Sequence, residues 1–168
     1  VDVAATAIAQ RSNVPIRSFE VADVGLNKLT LANIALGDGN GPTARKVEIL
    51  WTGKTLASGQ VRHVIVHAPK IAMTYADGRF SVDGLTMDLT GPAGPPRFER
   101  LDMIDAEIAM TTPWGAAAAR GDGRIVSGPE GFAPARVDLA AAQMDFAGGI
   151  LALDKLAFEP TKPLDTAL

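Results

Sequence analysis

The chain has 168 residues, a length that suits one domain or one part of a longer repetitive protein. Apolar residues make up 47% of it, aromatic residues only 5%, and the formal net charge is −3 with no block of basic residues. This composition excludes a coiled coil, a collagen and a disordered tail, and it gives no reason to expect a nucleic-acid partner. Cysteine is absent, which excludes disulfide bonds and thiolate metal sites.

Residues 1–14 form the only stretch that predicts a helix of useful length. They are rich in alanine, lack glycine and proline, and place Val3 and Ala7 at helical spacing. The residue before Pro15 is restricted to extended conformations, so the helix should end there. The chain starts at Val1 and contains no apolar run of the ~20 residues that a membrane-spanning helix needs. We therefore expect that a targeting or anchoring segment has been removed ahead of this helix.

From Pro15 onward, apolar and polar residues alternate with a period of two. Between residues 103 and 112, for example, Ile104 and Ile108 share one face, and Asp105 and Glu107 share the other. Strict alternation over such lengths is typical of half-buried strands. We predict strands near residues 16–25, 27–36, 43–52, 56–68, 70–77, 79–90, 99–112, 114–127, 134–147 and 149–159.

Short glycine-containing segments, such as Asp77-Gly78, separate most of these runs. Strands joined by such tight turns should pair in antiparallel fashion. No helical segment lies between the predicted strands, which excludes a parallel α/β sheet. The sequence therefore predicts an all-β fold, an antiparallel meander with one short N-terminal helix.

The residues that could carry catalysis or bind metal are better explained as structural. His63 and His67 would lie about 13 Å apart on a strand, too far to share one metal ion. Ser58 and Ser127 both lack the Gly-x-Ser-x-Gly elbow of a hydrolase nucleophile. The segment 37–42 (GDGNGP) offers a single carboxylate where a calcium loop needs several. We predict no catalytic residues, no metal site and no cofactor.

Two further motifs are interpreted as connections. Residues 120–122 spell the adhesion tripeptide Arg-Gly-Asp, but the glycines at 121 and 123 predict the tip of a hairpin. Residues 91–96 (GPAGPP) are too short for a collagen helix and form the best candidate for a boundary inside the sheet.

The chain offers many apolar strand faces and almost no helix to cover them. Such faces must pack against a second sheet, fold over on themselves or hold an apolar ligand. With few aromatic rings, they could close as an ordinary sandwich core or line a groove for acyl chains, where each buried methylene contributes about 0.8 kcal/mol. Composition does not decide between these two hypotheses, and an esterase is a third hypothesis.

Four segments resemble the N-terminal part of AsmA-like proteins, in the YdbH-like branch. They are the strand end at 31–37 (LANIALG), the strand end at 51–52 (WT) followed by a glycine turn and a valine-rich strand, the hairpin at 77–85 (DGRFSVDGL) and the sharp connection at 112–115 (TPWG). The resemblance extends over residues 5–160.

The resemblance implies a curved, taco-like β-groove that moves phospholipids between the inner and outer membranes of Gram-negative bacteria. On this interpretation, residues 1–14 follow a membrane anchor absent from this chain, and residues 15–168 are an antiparallel β-groove segment of a longer protein. The implied location is the periplasm, attached to the inner membrane. The implied partners are phospholipid acyl chains, the inner membrane and an inner-membrane protein. Ten strands at about 4.8 Å would span about 50 Å, too little to bridge an envelope alone.

If the apolar side is the concave one, the alternation predicts the residues that line the groove. They are Val47, Ile49, Trp51, Ile71, Met73, Leu85, Met87, Leu89, Ile104, Ile108 and Met110. The alternative is a structural or adhesive β-sandwich domain of an exported bacterial protein, in which the same faces close on each other.

Overall fold

A computed structural model describes residues 16–57, 60–85, 98–128, 131–146 and 149–159. Within these ranges nearly every residue belongs to a strand, and the predicted all-β fold is confirmed. The strands are β1 (Ile16–Val24), β2 (Lys28–Leu36), β3 (Thr43–Leu50), β4 (Val61–His67), β5 (Lys70–Ala76), β6 (Arg79–Val82), β7 (Phe98–Thr112), β8 (Gly115–Gly128), β9 (Gly131–Phe146), β10 (Gly149–Leu153) and β11 (Leu156–Phe158). The helix is α1 (Gly53–Ala57). The predicted helix at 1–14 and the candidate boundary at 91–96 lie outside the described residues.

The described strands form one mixed sheet. Its order is β1-β2-β3-β4-β7-β8-β9-β10, with β11 also paired to β9, and with β5 joining β3, β6 and β7. Most neighbours are antiparallel, as expected from the tight turns. The exceptions are β4 and β5, which both run parallel to β7.

The prediction of a purely antiparallel meander is therefore wrong at β4 and β5. These strands form no hairpin, because the chain bends at Ala68 (φ 48°) and continues in the same direction along β7. The backbone N–H of Ala68 donates to the carbonyl of Ile104 at 2.8 Å, and the N–H of Glu107 donates to the carbonyl of Pro69 at 2.8 Å. The pairing with β7 thus continues across the bend. A parallel pair requires a crossover, and β6, which runs antiparallel to β5, begins that return.

Three local predictions also need correction. The predicted strand at 56–68 overlaps helix α1, which begins after Thr52, where the backbone N–H of Thr55 donates to Thr52 Oγ1 at 3.2 Å and Thr52 N–H donates to Thr55 Oγ1 at 2.8 Å. This reciprocal pair caps the first turn of the helix. The predicted strand at 149–159 is divided into β10 and β11. The predicted hairpin tip at Gly121 instead lies inside β8, where a Cβ would stand 2.0 Å from the carbonyl oxygen of Asp138.

Two predicted turns are confirmed. Asp77 and Gly78 both have positive φ, 53° and 76°, which is the type I′ conformation expected of an Asp-Gly hairpin. Between β7 and β8, Thr112 Oγ1 donates to the carbonyl of Gly115 at 2.8 Å and accepts from the N–H of Trp114 at 3.2 Å. The sharp connection at 112–115 is thereby held by one threonine side chain.

The turn between β2 and β3 packs on the end of β6 through glycine. Asp38 N–H donates to the carbonyl of Gly84 at 3.0 Å. Gly84 has φ 70°, and a Cβ there would lie 2.3 Å from the backbone nitrogen of Gly41. Only glycine permits both that dihedral angle and that approach.

The core is small and lies at one end of the described sheet. Its buried members are Leu29, Leu31, Ile34 and Ala44, and its half-buried neighbours are Phe19, Val21, Leu36, Val47, Ile49, Trp51 and Val66. In the rest of the described sheet, Ala106 is the one apolar residue that is buried. No large side chain among the described residues is completely buried. Burial is therefore concentrated around β1 to β4, and the rest of the described sheet is open.

Candidate functional site

Strand register collects apolar side chains from five strands onto one face of the open part of the sheet. Residues directly opposite each other on neighbouring strands point to the same side. The isoleucine row consists of Ile71, Ile108, Ala119, Ala142 and Leu153. The methionine row consists of Met73, Met110, Ala117, Met144 and Leu151. We call the side that carries both rows the apolar face.

Four successive alanines in β8 identify the more enclosed side of the sheet. Ala116 and Ala118 are exposed, whereas Ala117 and Ala119 are half-buried. Because the side chains are identical, the difference comes from their surroundings. The apolar face is the sheltered one, although no second layer covers it in the part of the chain that the structure describes.

A depression of about 270 Å³ lies over the two rows where they cross β7, β8, β9 and β10. Ile108, Met110 and Met144 contribute to its lining, together with Leu151 at the edge of the sheet. A second depression of about 670 Å³ crosses the same strands, but its lining includes Lys70, Glu107 and Arg120, whose side chains belong to the opposite face of the sheet. Ligand sites in proteins commonly have volumes of about 300–1,000 Å³, so the depression on the apolar face is close to the lower end of that range.

A bulge in β7 changes which of its side chains point to the apolar face. In β7, Met103 is opposite Gly123 and Ala106 is opposite Gly121, so β7 has one residue more than β8 in this interval. The extra residue lies at Asp105, whose φ is 55°. Met103 and Ala106 therefore share the apolar face, and the predicted alternation is interrupted at residue 104.

The structure brings together four of the predicted lining residues: Ile71, Met73, Ile108 and Met110. Three others lie on or next to β3, at the end of the sheet that carries the core. Val47, Ile49 and Trp51 pack against the core, and the Trp51 indole donates to the carbonyl of Leu26 at 3.1 Å.

Two further predicted residues lie apart from the rows. Ile104 is 40% exposed at the bulge, and Leu85 lies in the turn after β6, where its N–H donates to the carbonyl of Val82. Met87 and Leu89 are outside the described residues.

Sequence reasoning missed the contributions of β8, β9 and β10. In β8 the alternation is hidden, because residues 116–119 are all alanine. In β10, residues 150–153 are all apolar, so no face is distinguished. In β9 a bulge at Ala140 shifts the phase between Leu139 and Ala142. Only the pairing with neighbouring strands reveals which of these side chains face the groove.

The opposite face of the sheet is covered with ion pairs. Asp102 lies at the centre of one group: its carboxylate accepts from Arg100 Nε at 2.9 Å and Arg124 Nε at 2.8 Å, and lies 2.8 Å from His63 Nε2. Burial of this carboxyl by itself acts to raise its pKa, but the three hydrogen bonds outweigh burial and hold the pKa well below its usual value. The group ties together β4, β7 and β8.

A second ion pair accounts for the other histidine. His67 Nε2 lies 2.8 Å from Glu48 Oε2, and this hydrogen bond lowers the pKa of Glu48. His63 and His67 are thus held by different carboxylates. Among the described residues, no three side chains of the metal-binding types cluster together. Ser127 Oγ donates to the backbone carbonyl of Glu99.

No helix in the described ranges combines the length and apolar character required to cross a bilayer. Comparison with known proteins found no matching family model, no matching curated protein and no matching solved structure.

Proposed function

We propose that the apolar face binds the acyl chains of phospholipids, and that the chain is a non-enzymatic lipid-transfer segment of the AsmA-like, YdbH-like type. The observation that carries the proposal is the pair of cross-strand rows. They give five strands a common apolar surface, half-buried on β5, β7, β8 and β9 and exposed on β10, with no covering layer in the described residues.

The chemistry of the rows suits a flexible apolar ligand. Each methylene removed from water contributes about 0.8 kcal/mol without any directional contact. Methionine side chains adapt to irregular apolar shapes, because they are unbranched and polarisable. Met73, Met110 and Met144 occupy the same row, so the surface can adjust to acyl chains of different conformation.

Ile108 and Ala109 provide a matched pair of positions for testing the proposal. Ile108 belongs to the isoleucine row. Its neighbour Ala109 is exposed on the other face of the sheet, where it pairs with Ala118 of β8. Ile108→Asp should abolish binding of a soluble fluorescent acyl probe, whereas Ala109→Asp should leave the affinity unchanged. Circular dichroism should show that both variants are folded, because a carboxylate at a half-buried, open site keeps access to water.

Three results would contradict the proposal. The unaltered chain could fail to bind the probe, or the two aspartate variants could lose binding equally. Thirdly, Ile108→Asp could unfold the protein while Ala109→Asp does not, since a charge in a sealed core is strongly destabilising. That last outcome would support the closed β-sandwich instead.

The proposal also includes transport between the inner and outer membranes, a periplasmic location, attachment to the inner membrane and an inner-membrane protein partner. Native mass spectrometry of the purified chain should detect bound phospholipid. Transfer of labelled phospholipid between donor and acceptor vesicles, compared between the unaltered protein and Ile108→Asp, tests movement rather than binding alone.

A further inference from the structure

Three aromatic rings meet where β5 and β7 end. The ring centroids of Tyr75 and Phe80 are 4.7 Å apart, and those of Tyr75 and Trp114 are 5.7 Å apart. Because β5 and β7 are parallel, the turns that follow them at Asp77-Gly78 and 113–114 lie at the same end of the sheet. We call these three rings the aromatic tip.

The aromatic tip is exposed even though its rings contact each other. Phe80 is 50% exposed and Trp114 is 59% exposed. Among the described residues, the Trp114 indole N–H has no hydrogen-bond acceptor, although the Trp114 backbone is held by Thr112. The short turns therefore present two large apolar side chains in fixed positions.

The tip adjoins the groove directly. Tyr75 lies two residues beyond Met73 on β5, and Phe80 lies two residues before Val82, which is opposite Met73 on β6. In a strand, residues two apart share a face. The tip thus forms the rim of the apolar face next to the methionine row.

The local charges do not select for an anionic or a cationic surface. Asp77 in the turn and Arg79 directly after it are both exposed and carry opposite charges. Indole and phenol rings combine an apolar body with a polar edge, and such rings concentrate where hydrocarbon meets water at the surface of a bilayer. From these features we propose that the aromatic tip inserts into the headgroup region of a phospholipid membrane and brings the rim of the groove against the lipid.

A protein partner fits these observations less well. A stable protein interface buries about 800 Å² on each side. A fully buried aromatic side chain contributes about 150–250 Å², so three partly exposed rings provide well under that area. Insertion into a membrane has no comparable minimum, because lipids adapt to the shape of a small apolar projection.

The two tryptophans of the chain permit a direct test. In Trp51→Phe, Trp114 is the remaining tryptophan. Its emission should shift to the blue on addition of phosphatidylcholine vesicles, and phosphatidylcholine with brominated acyl chains should quench it. In the otherwise unaltered chain, Trp114→Ser should reduce partitioning into sedimented vesicles by about tenfold or more, because half an aromatic side chain of apolar area is lost. Added phosphatidylglycerol or salt should change partitioning little, since the tip has no net charge.

The inference goes beyond the acyl-binding proposal, and the same variants separate the two. Trp114→Ser should bind the soluble acyl probe normally but no longer bind vesicles. Ile108→Asp should no longer bind the probe but should still bind vesicles. If Trp51→Phe does not fold, sedimentation of Trp114→Ser decides the question alone. Membrane insertion is refuted if vesicles leave the emission of Trp114 unchanged, or if Trp114→Ser sediments with vesicles as the unaltered chain does. It is also refuted if the emission of Trp114 shifts with protein concentration in the absence of lipid, because such a shift would indicate a protein interface.

Discussion

Replacing Asp102 with asparagine tests how the sheet is held together at its parallel pair. Asp102 lies on β7, and its carboxylate accepts hydrogen bonds from Arg100 on the same strand and Arg124 on β8 while contacting His63 on β4. Asparagine has nearly the same shape but no charge. The substitution therefore removes the electrostatic part of the interactions and leaves the packing almost unchanged.

The expected loss is about 2–4 kcal/mol of unfolding free energy. Hydrogen bonds to charged groups contribute about 1.5–3 kcal/mol each when buried. The carboxylate is only 13% exposed, but the two arginine side chains are about 40% exposed, so water screens their share and the contributions do not simply add. Asp138→Asn is the matched control, because Asp138 pairs with Arg136 on the exposed part of one strand. There the loss should stay below about 1 kcal/mol.

Urea denaturation at several pH values measures both effects. The pKa of Asp102 is lower in the folded protein than in the unfolded chain, so its contribution is fully present above the unfolded value of about 3.9 and declines as the pH falls below it. The gap between the unaltered chain and Asp102→Asn should therefore be widest at neutral pH and narrower at pH 3. The reasoning fails if Asp102→Asn costs no more than Asp138→Asn, or if the gap is constant across this range.

Three further outcomes test the groove and the fold. Ala119→Glu should abolish acyl-probe binding while Ala118→Glu, on the opposite face, leaves it intact; equal losses in this fluorescence assay would contradict the assignment of the faces. Gly84→Ala should lower the unfolding free energy by more than about 1 kcal/mol in a urea titration, whereas Gly53→Ala, which meets open space, should cost less. Oxidation by peroxide, monitored by mass spectrometry, should weaken probe binding because it converts methionine to the polar sulfoxide. Met110→Leu should make probe binding less sensitive to peroxide. Unchanged affinity after complete oxidation would argue against a role for the methionine row.

The sequence was most informative where a side-chain pattern and a turn residue act together. Alternation from residue 103 to 112 predicts β7, and Asp77-Gly78 predicts the β5–β6 hairpin, because glycine and aspartate tolerate the positive φ that a type I′ turn imposes. For the same reason, the four predicted lining residues on β5 and β7 fall on a common face. These features depend on local geometry, which the sequence encodes directly.

Features that depend on distant strands were not predictable in this way. Nothing at Ala68 and Pro69 distinguishes a bend that continues a strand from a hairpin turn, so the parallel pairing with β7 was missed. No sequence signal marks the bulge at Asp105 either, because the bulge is defined by its shift of register against β8. A side chain's face is fixed by its cross-strand partner, and one inserted residue reverses it for everything beyond.

The composition of β8 bears on the choice between an open groove and a closed sandwich. On the apolar face this strand presents Ala117, Ala119, Gly121 and Gly123, none of which extends far from the backbone. Packed sheets lie about 10 Å apart, and side chains from both sides must fill that space. A second sheet above β8 would have to supply nearly all of the filling, or leave a cavity. On either side of β8, β7 and β9 carry the longer, flexible side chains of Met110 and Met144. The small residues of β8 therefore form a shallow depression between them. This arrangement suits binding of a slender apolar ligand better than packing of a second sheet.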